Sequence, residues 1–91
     1  MRTQKGQLRT NRGYEEALRI VYQYVKGGQF SQAVARMVDT GSGRLKGAFR
    51  CDGNHSWYVV GDCYVKLGQV GEAIRAFRKS ASFEFRVGNG A

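Results

Sequence analysis

The sequence predicts an all-α fold of two antiparallel helix hairpins, preceded by a flexible basic N-terminal arm. Three observations predict it. The chain repeats itself: residues 13–40, moved forward by forty positions, fall on residues 53–80 with seven identities, namely Gly13/Gly53, Tyr24-Val25-Lys26/Tyr64-Val65-Lys66, Gly28-Gln29/Gly68-Gln69 and Ala33/Ala73. A period in this range marks stacked units that each bury a face against a neighbour. Within each copy, apolar residues recur at three- and four-residue spacing, one face of a helix. Glycines fall at equivalent joins, and the chain has no proline to interrupt a helix.

Each element follows in order. Residues 1–13 read as the arm, with Arg2, Lys5, Arg9 and Arg12 and no acid among them. A first helix over 14–26 carries Ala17, Ile20, Val21 and Tyr24 on one face. Glu15 and Glu16 suit its positive N-terminus and Lys26 its negative C-terminus. Gly27-Gly28 closes it, because glycine takes the left-handed conformation. A second helix over 30–39 carries Ala33, Val34, Met37 and Val38, antiparallel to the first because the join is short. Residues 41–53 hold four glycines and read as a loop, with Leu45 and Phe49 as anchors to the core. Its spacing Gly41-x-Gly43-x-x-x-Gly47 lacks the Gly-Lys-Ser/Thr ending of a phosphate loop. Asn54 or Ser56 caps a third helix over 54–66, with Trp57, Val60, Gly61 and Tyr64 inward. Gly68 closes it. A fourth helix over 70–82 turns Ala73, Ile74, Phe77 and Ala81 inward, and residues 86–91 fray. The organisation expected is one domain over 14–85, with repeats at 14–40 and 54–82.

Composition narrows the function classes. Fifteen Lys and Arg against seven Asp and Glu give a net charge of +8, which favours contact with nucleic acid, an anionic membrane surface or an acidic protein. Arg44, Lys46 and Arg50 form a second basic block after the arm, and Arg75, Arg78 and Lys79 a third. No apolar run approaches the ~20 residues of a membrane span. The start of the chain lacks the apolar stretch of a secretory signal, so the expected compartment is cytoplasmic. Cys51 and Cys63 make no disulfide framework. The single histidine, His55, lies eight residues from Cys63, about 12 Å along one helix, so no metal site is expected. No nucleophile motif or carboxylate pair points to an enzyme, and no cofactor is implied.

Residues 57–81 resemble a tetratricopeptide repeat. Trp57, Gly61, Tyr64, Gly68, Ala73 and Phe77 match that family's pattern in order, with Val60 where Leu is usual and Ser80 where Ala is usual. Residues 14–40 are similar in Tyr24, Gly28 and Ala33, with Ala17, Val21 and Met37 in the places of Trp, Gly and Phe. The small residues let two helices approach and the large ones fill the gaps, so Trp57, Tyr24 and Tyr64 read as core. The period is 40 where the family has 34, so the linker carries about six extra residues. Two copies are fewer than the three or more such stacks need. A homodimer, or a C-terminal fold-back through Phe83 and Phe85, is expected to cover the open face. The segments Tyr24–Ala33 and Tyr64–Ala73 are also similar to pentatricopeptide repeats, which read one RNA base per repeat. Two repeats would read only two bases.

The tetratricopeptide resemblance implies a protein-binding adaptor, scaffold or inhibitor. It receives a partner segment, of acidic character given the charge, in a groove lined by the first helix of each pair. The implied groove residues are Glu15, Leu18, Tyr22, Lys26, His55, Tyr58, Asp62 and Lys66, all off the core stripe. Leu18 and Tyr22 occupy positions where chaperone-binding members clamp a carboxylate with Lys and Asn, so that activity is not expected. The alternative is charge-driven binding of RNA or DNA. Arg2, Lys5, Arg9, Arg12, Arg44, Lys46 and Arg50 would contact phosphates, and Tyr22 and Tyr58 would stack on bases.

Overall fold

The two Gly-Gln joins fold into the same turn. In the computed structural model, which describes the backbone of residues 2–90 and the side chains of residues 13–83, residues 27–29 link α1 (Arg2–Lys26) to α2 (Phe30–Met37), and residues 67–69 link α3 (Gly53–Lys66) to α4 (Val70–Gly90). Gly28 N–H donates to the Val25 carbonyl at 3.0 Å and Gln29 N–H to the Tyr24 carbonyl at 2.8 Å. Forty residues on, Gly68 donates to Val65 at 3.0 Å and Gln69 to Tyr64 at 2.9 Å. These are the two bonds of a Schellman motif. The motif needs a left-handed residue, and Gly28 and Gly68 both sit at φ +76°, where only glycine is unstrained. Gln29 and Gln69 then open the next helices, their carbonyls accepting from Ala33 and Ala73 N–H at 3.1 and 3.0 Å.

α3 and α4 lie antiparallel, as their contacts require. The start of α3 meets the end of α4: Asn54 Nδ2 donates to the Ser80 carbonyl at 2.8 Å, and Ser80 Oγ donates back to the Asn54 carbonyl at 2.7 Å. Phe83 covers Gly53 and Phe77 covers Gly61; a Cβ on Gly61 would lie 2.6 Å from the Phe77 ring. The buried face of α4 is Ala73, Ala76 and Ser80, with Phe77 half-buried. This corrects the expected inward set, because Ile74 is 46% exposed and Ala81 is exposed. α4 approaches α3 along its smallest residues, and hydrophobicity alone ranks Ile above Ala or Ser.

α1 buries Tyr14 and Val21, with Ala17, Leu18, Tyr24 and Val25 partly buried beside them. That stripe leaves Ile20 on its flank, 37% exposed, against expectation. α1 begins at Arg2, so helical backbone takes in residues 2–12, which read as a flexible arm. Straight-chain Gln, Arg, Lys and Leu favour helix there without apolar periodicity to reveal it. The side chains of Arg2, Lys5, Arg9 and Arg12 lie outside the described residues. α4 likewise continues to Gly90 where a frayed tail and a fold-back through Phe83 and Phe85 were expected. Phe83 belongs to α4 itself, and the Phe85 side chain lies outside the described residues.

The linker between the pairs is more ordered than the expected loop. β1 (Val38–Asp39) and β2 (Arg44–Leu45) form a two-rung antiparallel ladder, Val38 opposite Leu45 and Asp39 opposite Arg44. β1 takes Val38 and Asp39 from the end of the expected second helix. Asp39 fastens the turn between the strands. Its carboxylate accepts from Ser42 Oγ at 2.9 Å and Gly41 N–H at 3.4 Å, and these bonds hold its pKa below the ordinary value. A 3₁₀ helix over Gly47–Asp52 follows. Leu45 and Phe49 are buried and pin the linker to the core. Asp52, rather than Asn54 or Ser56, caps α3, its Oδ1 accepting from His55 N–H at 3.1 Å. The 3₁₀ helix runs directly into α3, so the helix starts earlier than expected and the two other candidates fall inside it.

Ser56 is fully buried. It donates to the Phe49 carbonyl at 2.7 Å and lies 3.3 Å from Tyr14 Oη. Its one proton is committed to Phe49, so Tyr14 is the donor in the second contact. Burial pushes the Tyr14 phenol up to about 12. Tyr14 also meets Phe49 edge-on at 6.4 Å, which ties α1 to the 3₁₀ helix. Among the described residues, no helix is long and apolar enough to cross a membrane.

Candidate functional site

The site lies where α1 faces α3. The Asp52 cap fixes the first turn of α3, and His55 sits in that turn. One face of α1 carries Tyr22 toward it, and Tyr22 Oη lies 2.9 Å from His55 Nε2. The His55 ring also packs edge-on to Tyr14 at 6.3 Å. Burial raises the Tyr22 pKa above its ordinary value.

Beneath this contact is a cavity of about 150 Å³, lined by Tyr22, Val25, Phe30, His55, Tyr58, Val59, Asp62, Cys63 and Lys66. Its wall is apolar and aromatic, with Asp62 and Lys66 one helical turn apart on α3. The ion pairs among the described residues are Glu16–Arg19 and Glu72–Arg75, and neither Asp62 nor Lys66 takes part in one there. Tyr58 is 57% exposed and leans on Phe77, ring centroids 5.6 Å apart. Cys63 is buried, and burial, with a smaller push from Asp62, raises its thiol to about 11. It stays protonated near neutrality and forms part of the apolar wall.

A shallower groove of about 450 Å³ runs along α1, lined by Glu15, Leu18, Arg19, Tyr22, Gln23 and Lys26. Tyr22 belongs to both hollows. The eight residues expected to form a groove therefore divide: Tyr22, His55, Tyr58, Asp62 and Lys66 line the cavity, and Glu15, Leu18 and Lys26 line the adjoining groove. Leu18 departs from expectation in one respect, because it is partly buried against the core instead of lying off the core stripe. Val25, Phe30, Val59 and Cys63 were not anticipated. The Schellman turn reverses the chain and returns Phe30 to the same wall as Val25, so the Gly-Gln signal that located the join is also the one that could have found that neighbour.

The basic residues of the linker separate. Arg44 and Arg50 line another hollow of about 430 Å³ with Gly43, Leu45, Trp57, Lys79 and Phe83. Lys46 Nζ instead donates to the Ala35 carbonyl at 2.9 Å and lines a surface recess with Tyr24, Gln32 and Arg36. Among the described residues, no group of three or more His, Cys, Asp or Glu could hold a metal ion. The chain matches no protein-family model, no curated protein and no solved structure.

Proposed function

We propose that this chain is a small tetratricopeptide-like interaction module. It binds one segment of a partner protein across the α1–α3 face and carries out no chemistry of its own. The observation that carries the reading is the Tyr22–His55 contact, which joins the two first-helix faces above one apolar cavity. An apolar side chain of the partner enters between Tyr22, Phe30 and Tyr58. Exposed tyrosines suit this work, since they offer area and a hydrogen bond at low entropic cost. Lys26 and Lys66, at the matching ends of α1 and α3, attract an acidic flank and set its direction. The protonated thiol of Cys63 and the engaged ring of His55 fit binding better than catalysis. The equal turns at 27–29 and 67–69 support the repeat reading on which the groove rests.

The test is selection of peptides from a displayed random library on the wild-type protein, followed by affinity measurement on the double variant Tyr22→Ala/Tyr58→Ala. Both side chains are substantially exposed, so folding should hold. The selected peptides should bind the variant at least tenfold more weakly, equivalent to about 1.4 kcal/mol. Equal affinity for both proteins would overturn the reading.

A further inference from the structure

The hollow floored by Trp57 shares no residue with the α1–α3 cavity. It is built largely from linker residues 43–50, in the segment that makes the period 40. Its rim carries three cations from three elements: Arg44 on β2, Arg50 on the 3₁₀ helix and Lys79 on α4. No carboxylate lines it, and none of the three makes an ion pair among the described residues. Like charges converge there without internal compensation, an arrangement that favours an anionic guest.

The cations are also held in place. Arg50 Nε donates to the Leu45 carbonyl at 3.0 Å, which anchors the guanidinium and leaves its terminal amino groups as further donors. Lys79 Nζ sits 4.4 Å above the Trp57 ring and 3.5 Å from the Gly43 carbonyl. A cation resting on an aromatic face keeps its charge and can turn toward an anion. Phe83, 36% exposed, adds an aromatic surface beside the cations. The volume, about 430 Å³, falls within the range of small-ligand sites and admits one nucleotide unit. Beyond the hollow, Arg75 lies one turn from Lys79 on α4 but pairs with Glu72 at 3.7 Å, so the unpaired cations among the described residues of this face gather at the hollow itself.

We infer that this hollow binds the backbone of single-stranded nucleic acid, one phosphate between Arg44, Arg50 and Lys79 and its base against Phe83. Three cations from separate elements beside an aromatic ring and the net charge of +8 favour a nucleic-acid strand over an isolated phosphorylated side chain. Cations on the phosphates with an aromatic beside the base are the common means of holding single strands without reading sequence.

The test is fluorescence anisotropy with a labelled oligouridylate of about eight nucleotides, within the span one small single-strand site covers. Arg44→Gln/Lys79→Gln removes two rim charges, and Arg36→Gln/Lys46→Gln removes two from the recess elsewhere on the surface. The rim variant should bind about tenfold more weakly, whereas the matched control should change less than about twofold. Wild-type binding should weaken by an order of magnitude or more between about 50 and 200 mM salt. Because Lys79 covers the only tryptophan, saturating oligonucleotide should also change Trp57 emission in the wild-type protein, a readout independent of any variant. Equal weakening in both variants, binding that leaves Trp57 emission unchanged, no binding, or tighter binding of a phosphoserine peptide of equal length would each overturn the proposal.

Discussion

At equivalent positions the first helix pair carries Val21 and Met37 where the second carries Gly61 and Phe77, and Ala17 where the second carries Trp57. Val21 and Met37 are both fully buried, with two medium side chains filling the space between helices. In the second pair one helix gives way entirely: Phe77 lies flat against bare backbone at Gly61, closer than any Cβ would allow. The bulk has moved from one helix to the other while the turns stay the same. The same turn chemistry thus accompanies an interchange of large and small residues across the two helix joins.

The largest expected effect comes from writing the first copy's residue into the second at its bulkiest point. Trp57→Ala should cost about 3–5 kcal/mol in chemical denaturation. A loss under about 1 kcal/mol would mean that the ring covers the linker hollow without supporting the core.

Next is the Gly61/Phe77 joint. Gly61→Val drives a side chain into the Phe77 ring and should cost about 1–3 kcal/mol. Adding Phe77→Met reproduces the first pair's combination and should return about 1 kcal/mol as a favourable coupling in a double-mutant cycle. Simple additivity would show that the two hairpins do not share one packing scheme.

Titration sharpens the same contrast, because each pair buries a different ionisable group. Cys63 is raised from 9.0 to about 11 and Tyr14 from 10.0 to about 12. Burial raises Tyr22 and Tyr64 as well. Folding favours the neutral form of each, so their contribution to stability is whole below the unfolded values and is lost as pH rises through the folded ones. The denaturation midpoint should hold up to about pH 9 and fall between about pH 9 and 12. Cys63→Ala should move the onset up toward the Tyr14 range, and Tyr14→Phe should remove the upper part of the fall. A midpoint flat to pH 12 would contradict the burial of both groups.

The smallest effects are at the turns, where the halves are alike. Gly28→Ala and Gly68→Ala meet no atom within 4 Å, so each should cost only the left-handed penalty of about 1–2 kcal/mol. The double variant should equal the sum within about 0.5 kcal/mol. Unequal costs would mean that one turn bears a tertiary load the other does not.

Much of the helical framework was legible because it rests on local signals. Gly28-Gln29 and Gly68-Gln69 announced both turns, and helical spacing placed Val21, Met37, Trp57 and Val60 in the core. Leu45 and Phe49 were legible as anchors, but the rest of the linker was not, for a physical reason. Its order comes from side chains such as Asp39, Ser42, Arg50 and Ser56, which bond to backbone of other segments or to turns only two rungs long, and these leave no periodic trace. The α4 face was misread because Ala76 and Ser80 are buried for being small. In the candidate site, the aromatic and charged residues off the core stripe could be listed in advance, but the Tyr22–His55 contact spans two helices and no spacing within either one reveals it.

Amide chemical-shift mapping with a library-selected peptide locates directly where a partner segment sits. Binding in the α1–α3 cavity should gather the largest shifts at Tyr22, Val25, Phe30, His55, Tyr58 and Asp62, with little change at Arg44, Arg50 and Lys79. Shifts gathered around Trp57 and the linker, with the Tyr22 and Tyr58 amides unmoved, would contradict it.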